Sequence, residues 1–163
     1  VDSVLKAAGD WRAALAVAAF GGLRRAEITN LRAEDIDRGR RLIHVVNRPP
    51  AFTVKTYQAR SVPVGLRLLR ELPKDAERVC PSESLNALTK AARETFKAAG
   101  VAGSLHALRH NYVTYLLLAG VPVAEVMARV GHRNLGTTEG YTHVRQAVEK
   151  RDVAAFKRAM GIS

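Results

Sequence analysis

The sequence predicts an α+β domain that is mainly α, with one small three-stranded antiparallel sheet set early in the chain. Three observations carry this. An alanine-rich, nearly all-apolar stretch at 10–20 ends in two glycines. Three short β-rich runs crowd between residues 41 and 64, and from Gly65 onward helix-forming sequence is broken mainly at proline and glycine. A chain of 163 residues, 47% hydrophobic and 25% charged, suits a single domain with its own core.

Each element follows from its residues. "DWRAALAVAAF" (10–20) is apolar on most sides and reads as a buried central helix, with Asp10 placed to cap it and Gly21 and Gly22 to end it. A short helix follows from about Arg24 to Leu31. "RLIHVV" (41–46), after the turn-like "DIDRGR", reads as a strand; "RPPA" interrupts it, and "FTVKT" and "RSVPV" supply two more strands around a turn at 57–59. Breaks at Pro73, near Pro81, and at Gly100, Gly103, Gly120, Pro122, Gly131 and Gly136 divide the remainder into helices. The last stretch, 144–163, is read as one amphipathic tail helix with Val144, Val148, Phe156 and Met160 toward one side.

Charge and cysteine content narrow the function. Twenty-six Lys and Arg against 15 Asp and Glu give a net charge of +11, which favours a polyanionic partner, nucleic acid first. Cys80 is the only cysteine, so an internal disulfide and a cysteine-based metal cluster are excluded, and a reducing cytoplasm is the expected compartment. No apolar run is long enough to span a bilayer, so no membrane partner is expected. The chain starts at Val1, and the expectation is a fragment of a longer protein.

Four stretches carry candidate chemistry. "GGLRRAE" (21–27) places two guanidiniums at the end of a buried helix, a pattern that either snorkels or holds an anion. "SLHALRHNYVTYLLLAG" (104–120) sets His106 and Arg109 at i and i+3, with Leu108, Tyr112 and Tyr115 available to the core. His106 and His110 at i and i+4 are a weak zinc pair: Ala107 stands where a metalloprotease helix needs glutamate, and Arg109 would repel a cation. "VGHRNLGTTEGYTH" (130–143) places His132 nine positions before Tyr141, and "VKTYQARSVPV" (54–64) puts Lys55 at a strand end. Taken singly, each of these last residues reads as structural or edge-protecting.

In this order, GLR-x-x-E, K-T before a strand ending V-P-V, H-x-L-R-H, and G-H followed by T-T and Y-T-H, the motifs resemble the catalytic domain of the tyrosine recombinase (phage integrase-like) family across nearly the whole chain. The resemblance implies the DNA breaking-rejoining fold and assigns residues one by one. Arg24 and Arg109 match the two catalytic arginines, Lys55 the hairpin lysine, His106 the histidine of the H-x-x-R pair, His132 the histidine or tryptophan of the next motif, and Tyr141 the nucleophile. Glu27 matches the acidic residue that supports the site from behind. Arg25 stands at a position that is usually variable or apolar, and Ala107 departs from a frequent aspartate. The family's upstream DNA-clamping domain is absent from the sequence, which leaves 1–163 as a catalytic domain with 144–163 as its tail.

The implied chemistry suits these side chains. Two arginines stay charged at any working pH and present planar forks to a phosphodiester. Tyr141 attacks phosphorus with His106 as general base and His132 as hydrogen-bond donor, Lys55 protonates the departing 5′-oxygen, and a 3′-phosphotyrosyl intermediate conserves the bond energy. With the arginines and lysine supplying positive charge, neither ATP nor metal is required, and no cofactor is expected. The partner implied is double-stranded DNA, bound by a homotetramer on synapsed sites that is a monomer when free, with accessory directionality proteins and with Arg38, Arg40, Arg41, Arg48 and Arg60 on the DNA backbone. Two alternatives stay open on the residues alone: a type IB topoisomerase, and a DNA-binding regulator that has lost catalysis.

Overall fold

A computed structural model describes residues 1–49 and 59–131. The expected strand "FTVKT" with Lys55, the segment carrying His132 and Tyr141, and the tail at 144–163 lie outside the described residues. Within them the helices are α1 (Asp2–Lys6), α2 (Arg12–Gly21), α3 (Arg25–Asn30), α4 (Leu66–Glu71), α5 (Leu85–Ala98), α6 (Leu105–Leu118) and α7 (Val123–Val130). The strands are β1 (Ile36–Asp37), β2 (Leu42–Val45) and β3 (Arg60–Pro63).

Helix α2 is the centre of the molecule because its side chains are small and apolar on all sides. Residues Ala14 through Ala19 are at most 1% exposed, and α6, α4 and α3 pack around them. Asp10 does not cap this helix. It lies in a 3₁₀ turn at Gly9–Trp11 that runs straight into α2, with Trp11 N–H bonded to the Ala8 carbonyl at 3.0 Å, so the chain enters already wound. The other end closes as expected: Gly22 is left-handed, φ +63°, and ends the helix. Helices α5 and α6 start at Ser84 and Ser104, whose hydroxyls each accept a backbone N–H of the first turn at 3.3 Å.

The sheet runs β1-β2-β3 and is antiparallel throughout, with Ile36 opposite Ile43, Ile43 opposite Val62 and Val45 opposite Arg60. Its first strand comes from inside "DIDRGR", which the sequence suggested was all turn. The Asp37 carboxylate accepts the Arg40 N–H at 2.7 Å and Arg41 turns through φ +57°, so the reversal needs only residues 38–41 and Ile36–Asp37 are left to pair. Ile43, Val45 and Val62 face the core.

Two hydrophobic clusters meet along α6. Leu105 and Leu108 belong to the large cluster built around α2, whereas Tyr112, Val113, Leu116 and Leu117 form a second cluster with Val126 and Val130 of α7. Arg109 sits at the seam, 7% exposed. Among the described residues no helix is long and apolar enough to cross a membrane.

Gly22 is fixed by space as well as by φ: a Cβ there would lie 2.1 Å from Cδ1 of Tyr112. Gly22→Ala is expected to cost about 3 kcal/mol through overpacking and left-handed strain. Gly120→Ala, also at positive φ but with open space around it, should cost only about 1 kcal/mol. Urea unfolding of both variants checks the difference.

Candidate active site

Three arginines converge on one helix end. At the C-terminus of α7, Arg60 Nε donates to the Arg129 carbonyl at 2.9 Å, Arg109 Nη2 to the Val130 carbonyl at 2.8 Å, and Arg24 Nη2 to the Gly131 carbonyl. These are carbonyls that the helix itself leaves unsatisfied, at the negative end of its dipole. The arginines come from three places far apart in the chain: the corner between α2 and α3, strand β3, and the first half of α6.

Each is aimed by its own local structure. Arg24 is the N-cap residue of α3, extended at φ −72° and ψ 155°, because Gly22 has just reversed the chain. Its backbone N–H donates to Glu27 Oε2 at 2.7 Å and its Nη1 to Oε1 at 3.2 Å, so the first turn of α3 clasps the side chain it carries. Arg109 points inward from α6, and its second guanidinium nitrogen, Nη1, donates to the Gly22 carbonyl. Arg109 therefore joins the C-terminal ends of α2 and α7. Arg60 meets Glu27 as a parallel fork, Nη1 to Oε1 and Nη2 to Oε2, both at 2.8 Å.

Glu27 is thus a buried carboxylate, 4% exposed, held between two guanidiniums. Burial works to raise its pKa, but the hydrogen bonds and charge of Arg60, together with the backbone bond and charge of Arg24, outweigh it and leave the carboxyl below its ordinary value. Gly131, at φ +68°, matters to the same cluster: a Cβ there would stand 3.0 Å from Arg24 Nη1 and 3.2 Å from Arg60 Cζ. Only a bare backbone lets both guanidiniums approach.

Arg24, Arg109 and His106 line one cleft of about 610 Å³ between α3, α5 and the N-terminal turn of α6. Arg25, Thr89, Arg93 and Ser104 complete its polar wall, with Arg25 Nη1 donating to Thr89 Oγ1 at 2.9 Å. His106 is exposed and stacks on His110, with ring centroids 6.1 Å apart. No group of three or more metal-ligating side chains occurs among the described residues. Four arginines and one histidine thus meet at a cleft whose wall is otherwise largely apolar.

The arginines expected on the DNA backbone divide. Arg40 and Arg41 are exposed at the β1–β2 turn. Arg38 donates to the carbonyls of Leu69, Leu72 and Pro73 at the end of α4, and Arg48 pairs with Asp35 at 2.6 Å and Glu34 at 3.0 Å. Arg60 is turned inward, its side chain 11% exposed. Its link to Glu27 was not read from the sequence, although a signal was there: in "RSVPV" Arg60 is two residues from Val62, so strand alternation puts both on the inner face. Lys55, His132 and Tyr141 lie outside the described residues.

A mainly helical domain with a small sheet, whose helix ends gather arginines beside a cleft lined by Arg24, Arg109 and His106, is the class that fold and site define. Residues 5–147 match the phage integrase family, and the chain belongs to that family. A tyrosine recombinase XerC from Bifidobacterium longum (strain DJO10A) is 34% identical over 165 residues, covering 85% of this chain and 44% of the relative. The crystal structure of XerA recombinase shares the fold with a TM-score of 0.71 at 22% identity, covering 91% of this chain and 58% of that one. XerH site-specific recombinase bound to difH substrate does so at 0.62 and 16% identity, covering 93% and 52%. The chain therefore spans about half the length of these three relatives. The family and fold that the motifs implied are borne out.

Replacing Glu27 with Gln leaves Arg60 buried against a neutral partner, and the expected loss near pH 7 is about 3–5 kcal/mol. Because the folded pKa is depressed, the carboxylate contributes stability above its unfolded pKa of about 4.3, and that contribution fades as pH falls through the folded value. Urea unfolding at a series of pH values should show the gap between the chain and Glu27→Gln closing in acid. A gap independent of pH would count against the ion pair as its source.

Proposed function

We propose that this chain is the catalytic domain of a site-specific DNA recombinase, cleaving and rejoining DNA through a 3′-phosphotyrosyl intermediate. The observation that carries this reading is the pairing of Arg24 and Arg109, 85 positions apart in sequence, in the wall of one cleft with His106. Membership of the phage integrase family supports it, as does the net charge of +11.

The residues of the chain fit the reaction in named roles. Arg24 and Arg109 hold the non-bridging oxygens of the scissile phosphate and stabilise the charge that grows on them in the pentacoordinate transition state. The Tyr141 oxygen bonds to phosphorus as the bond to the 5′-oxygen breaks; the phenolic proton passes to His106, and Lys55 gives a proton to the leaving 5′-oxygen. His132 donates a hydrogen bond to the phosphate. Attack by a 5′-hydroxyl of a second strand reverses these transfers, so no ATP, metal or other cofactor takes part. Glu27 acts behind Arg24. Double-stranded DNA is the partner, its backbone met by the basic face that includes Arg40 and Arg41. The active assembly is a homotetramer on synapsed DNA, with the tail at 144–163 docking on a neighbouring copy.

The test is to incubate the chain with a randomised pool of nicked duplex DNA in excess chelator, denature it and look for a covalent protein–DNA band. An adduct mapped to Tyr141, and lost in Tyr141→Phe, is expected. Arg24→Gln and Arg109→Gln should lower adduct formation by about 100-fold or more. No adduct, from this chain and from a longer form carrying an upstream DNA-binding domain, would favour a binding-only role.

A further inference from the structure

Arg60 has no part in the chemistry above, yet its guanidinium lies against the support of Arg24. Three of its donors are committed, two to Glu27 and one to the Arg129 carbonyl. We propose that Arg60 is a positioning residue: it locks the Glu27 carboxylate and the end of α7 into one rigid unit, and that unit fixes the orientation of the Arg24 guanidinium at the cleft. The proposal deepens the recombinase reading and rests on it for its catalytic consequence.

Four features of the structure support this role. First, Glu27 Oε1 accepts from both Arg24 Nη1 and Arg60 Nη1, so any shift of the carboxylate toward or away from Arg60 alters the grip on Arg24. Second, the Arg24 guanidinium is held from its other side by the Gly131 carbonyl, two residues beyond the carbonyl that Arg60 holds. Arg60 thus controls both anchors of Arg24. Third, Gly131 lets the Arg24 and Arg60 guanidiniums crowd over one backbone position, where a Cβ would meet both. Fourth, β3 is a rigid base for this contact, since Val45 pairs with Arg60 in the sheet and Val62 beside it is fully buried.

The chemistry of the contact demands arginine. A lysine at 60 would keep the charge but has a single ammonium, which cannot bond both carboxylate oxygens in parallel and still hold the Arg129 carbonyl in the same plane. Arg60→Lys should therefore leave the domain folded and Glu27 ionised while loosening Arg24. A residue of merely electrostatic or space-filling value would tolerate that exchange.

The experiment follows the Arg24 side chain itself, by NMR of the 15N-labelled chain, with the Arg24 guanidinium signals assigned by their loss in Arg24→Lys. In the unmodified chain, rotation of the Arg24 guanidinium is expected to be slow, because carboxylate and carbonyl hold it from two sides. In Arg60→Lys and Arg60→Gln it should speed up at least tenfold, toward the rate of exposed Arg40, whereas Arg48→Gln, which breaks the ion pair with Asp35, should leave it unchanged. Melting curves establish that each variant is folded, and Arg60→Lys keeps the test valid should Arg60→Gln fail to fold. Arg24 rotation unaltered in folded Arg60→Lys would overturn the proposal. A second arm measures the rate of adduct formation on the DNA pool at saturating DNA: Arg60→Lys should lose up to about 100-fold in rate, as expected for a misaligned group, with DNA affinity unchanged. Equal loss of affinity and rate would instead make Arg60 a DNA contact and overturn the proposal. Absence of any adduct both in the unmodified chain and in a longer form carrying an upstream DNA-binding domain would count against the recombinase reading, while the NMR arm would still decide whether Arg60 positions Arg24.

Discussion

The contact on which the rest of the structure depends is the buried carboxylate of Glu27 between Arg24 and Arg60. Through it the first turn of α3, strand β3 and the C-terminus of α7 are held in one arrangement, because each arginine also bonds a carbonyl at the end of α7. A carboxylate this deeply enclosed is costly to desolvate, and two guanidiniums with matched geometry offset that cost. The sheet, small as it is, acquires its purpose here: it is the platform that carries Arg60 to Glu27.

Arg109 solves a related problem in another way. It is buried at the seam of two hydrophobic clusters and bridges the Gly22 and Val130 carbonyls, at the ends of α2 and α7. Helix ends expose carbonyls that lack partners, and a cation there is stabilised by the dipole. The glycines make this geometry possible, since Gly22 turns its carbonyl at the end of α2 while passing against the ring of Tyr112. Packing and electrostatics are therefore not separable at this point: the same backbone reversal ends the central helix, seats Tyr112 and aims Arg109.

Much of this was legible in the sequence, for identifiable reasons. The central helix could be read because nearly every residue from Ala13 to Phe20 is apolar, and the later helices because glycine and proline mark their ends. Arg24, Glu27, His106 and Arg109 could be picked out from spacing and motif, and the structure brings Arg24, His106 and Arg109 to one cleft with Glu27 behind. What escaped was set by tertiary partners. Strand β1 is two residues long, too short for any alternation to reveal, and it forms only because Asp37 tightens the turn that follows. Arg38 and Arg48, read as part of a basic surface, bond carbonyls and carboxylates that lie beside them only in the folded chain.

The balance of charge around Glu27 follows from these same pairings. Arg24 and Arg60 supply two positive charges and Glu27 one negative, and the carbonyls of Gly131, Arg129, Gly22 and Val130, which Arg24, Arg60 and Arg109 also hold, orient a cation without neutralising it. The guanidiniums are thus held by helix ends and a sheet as well as by the carboxylate. A phosphodiester carries one negative charge, and addition of an alkoxide or phenoxide gives a pentacoordinate species with two. Guanidiniums fixed in advance favour the second over the first, which is the differential stabilisation that the proposed chemistry requires. Glu27 counters repulsion as well as aiming Arg24: without it the Arg24 and Arg60 guanidiniums would crowd one helix end without their shared carboxylate, and their mutual repulsion would oppose the arrangement that the proposed chemistry needs.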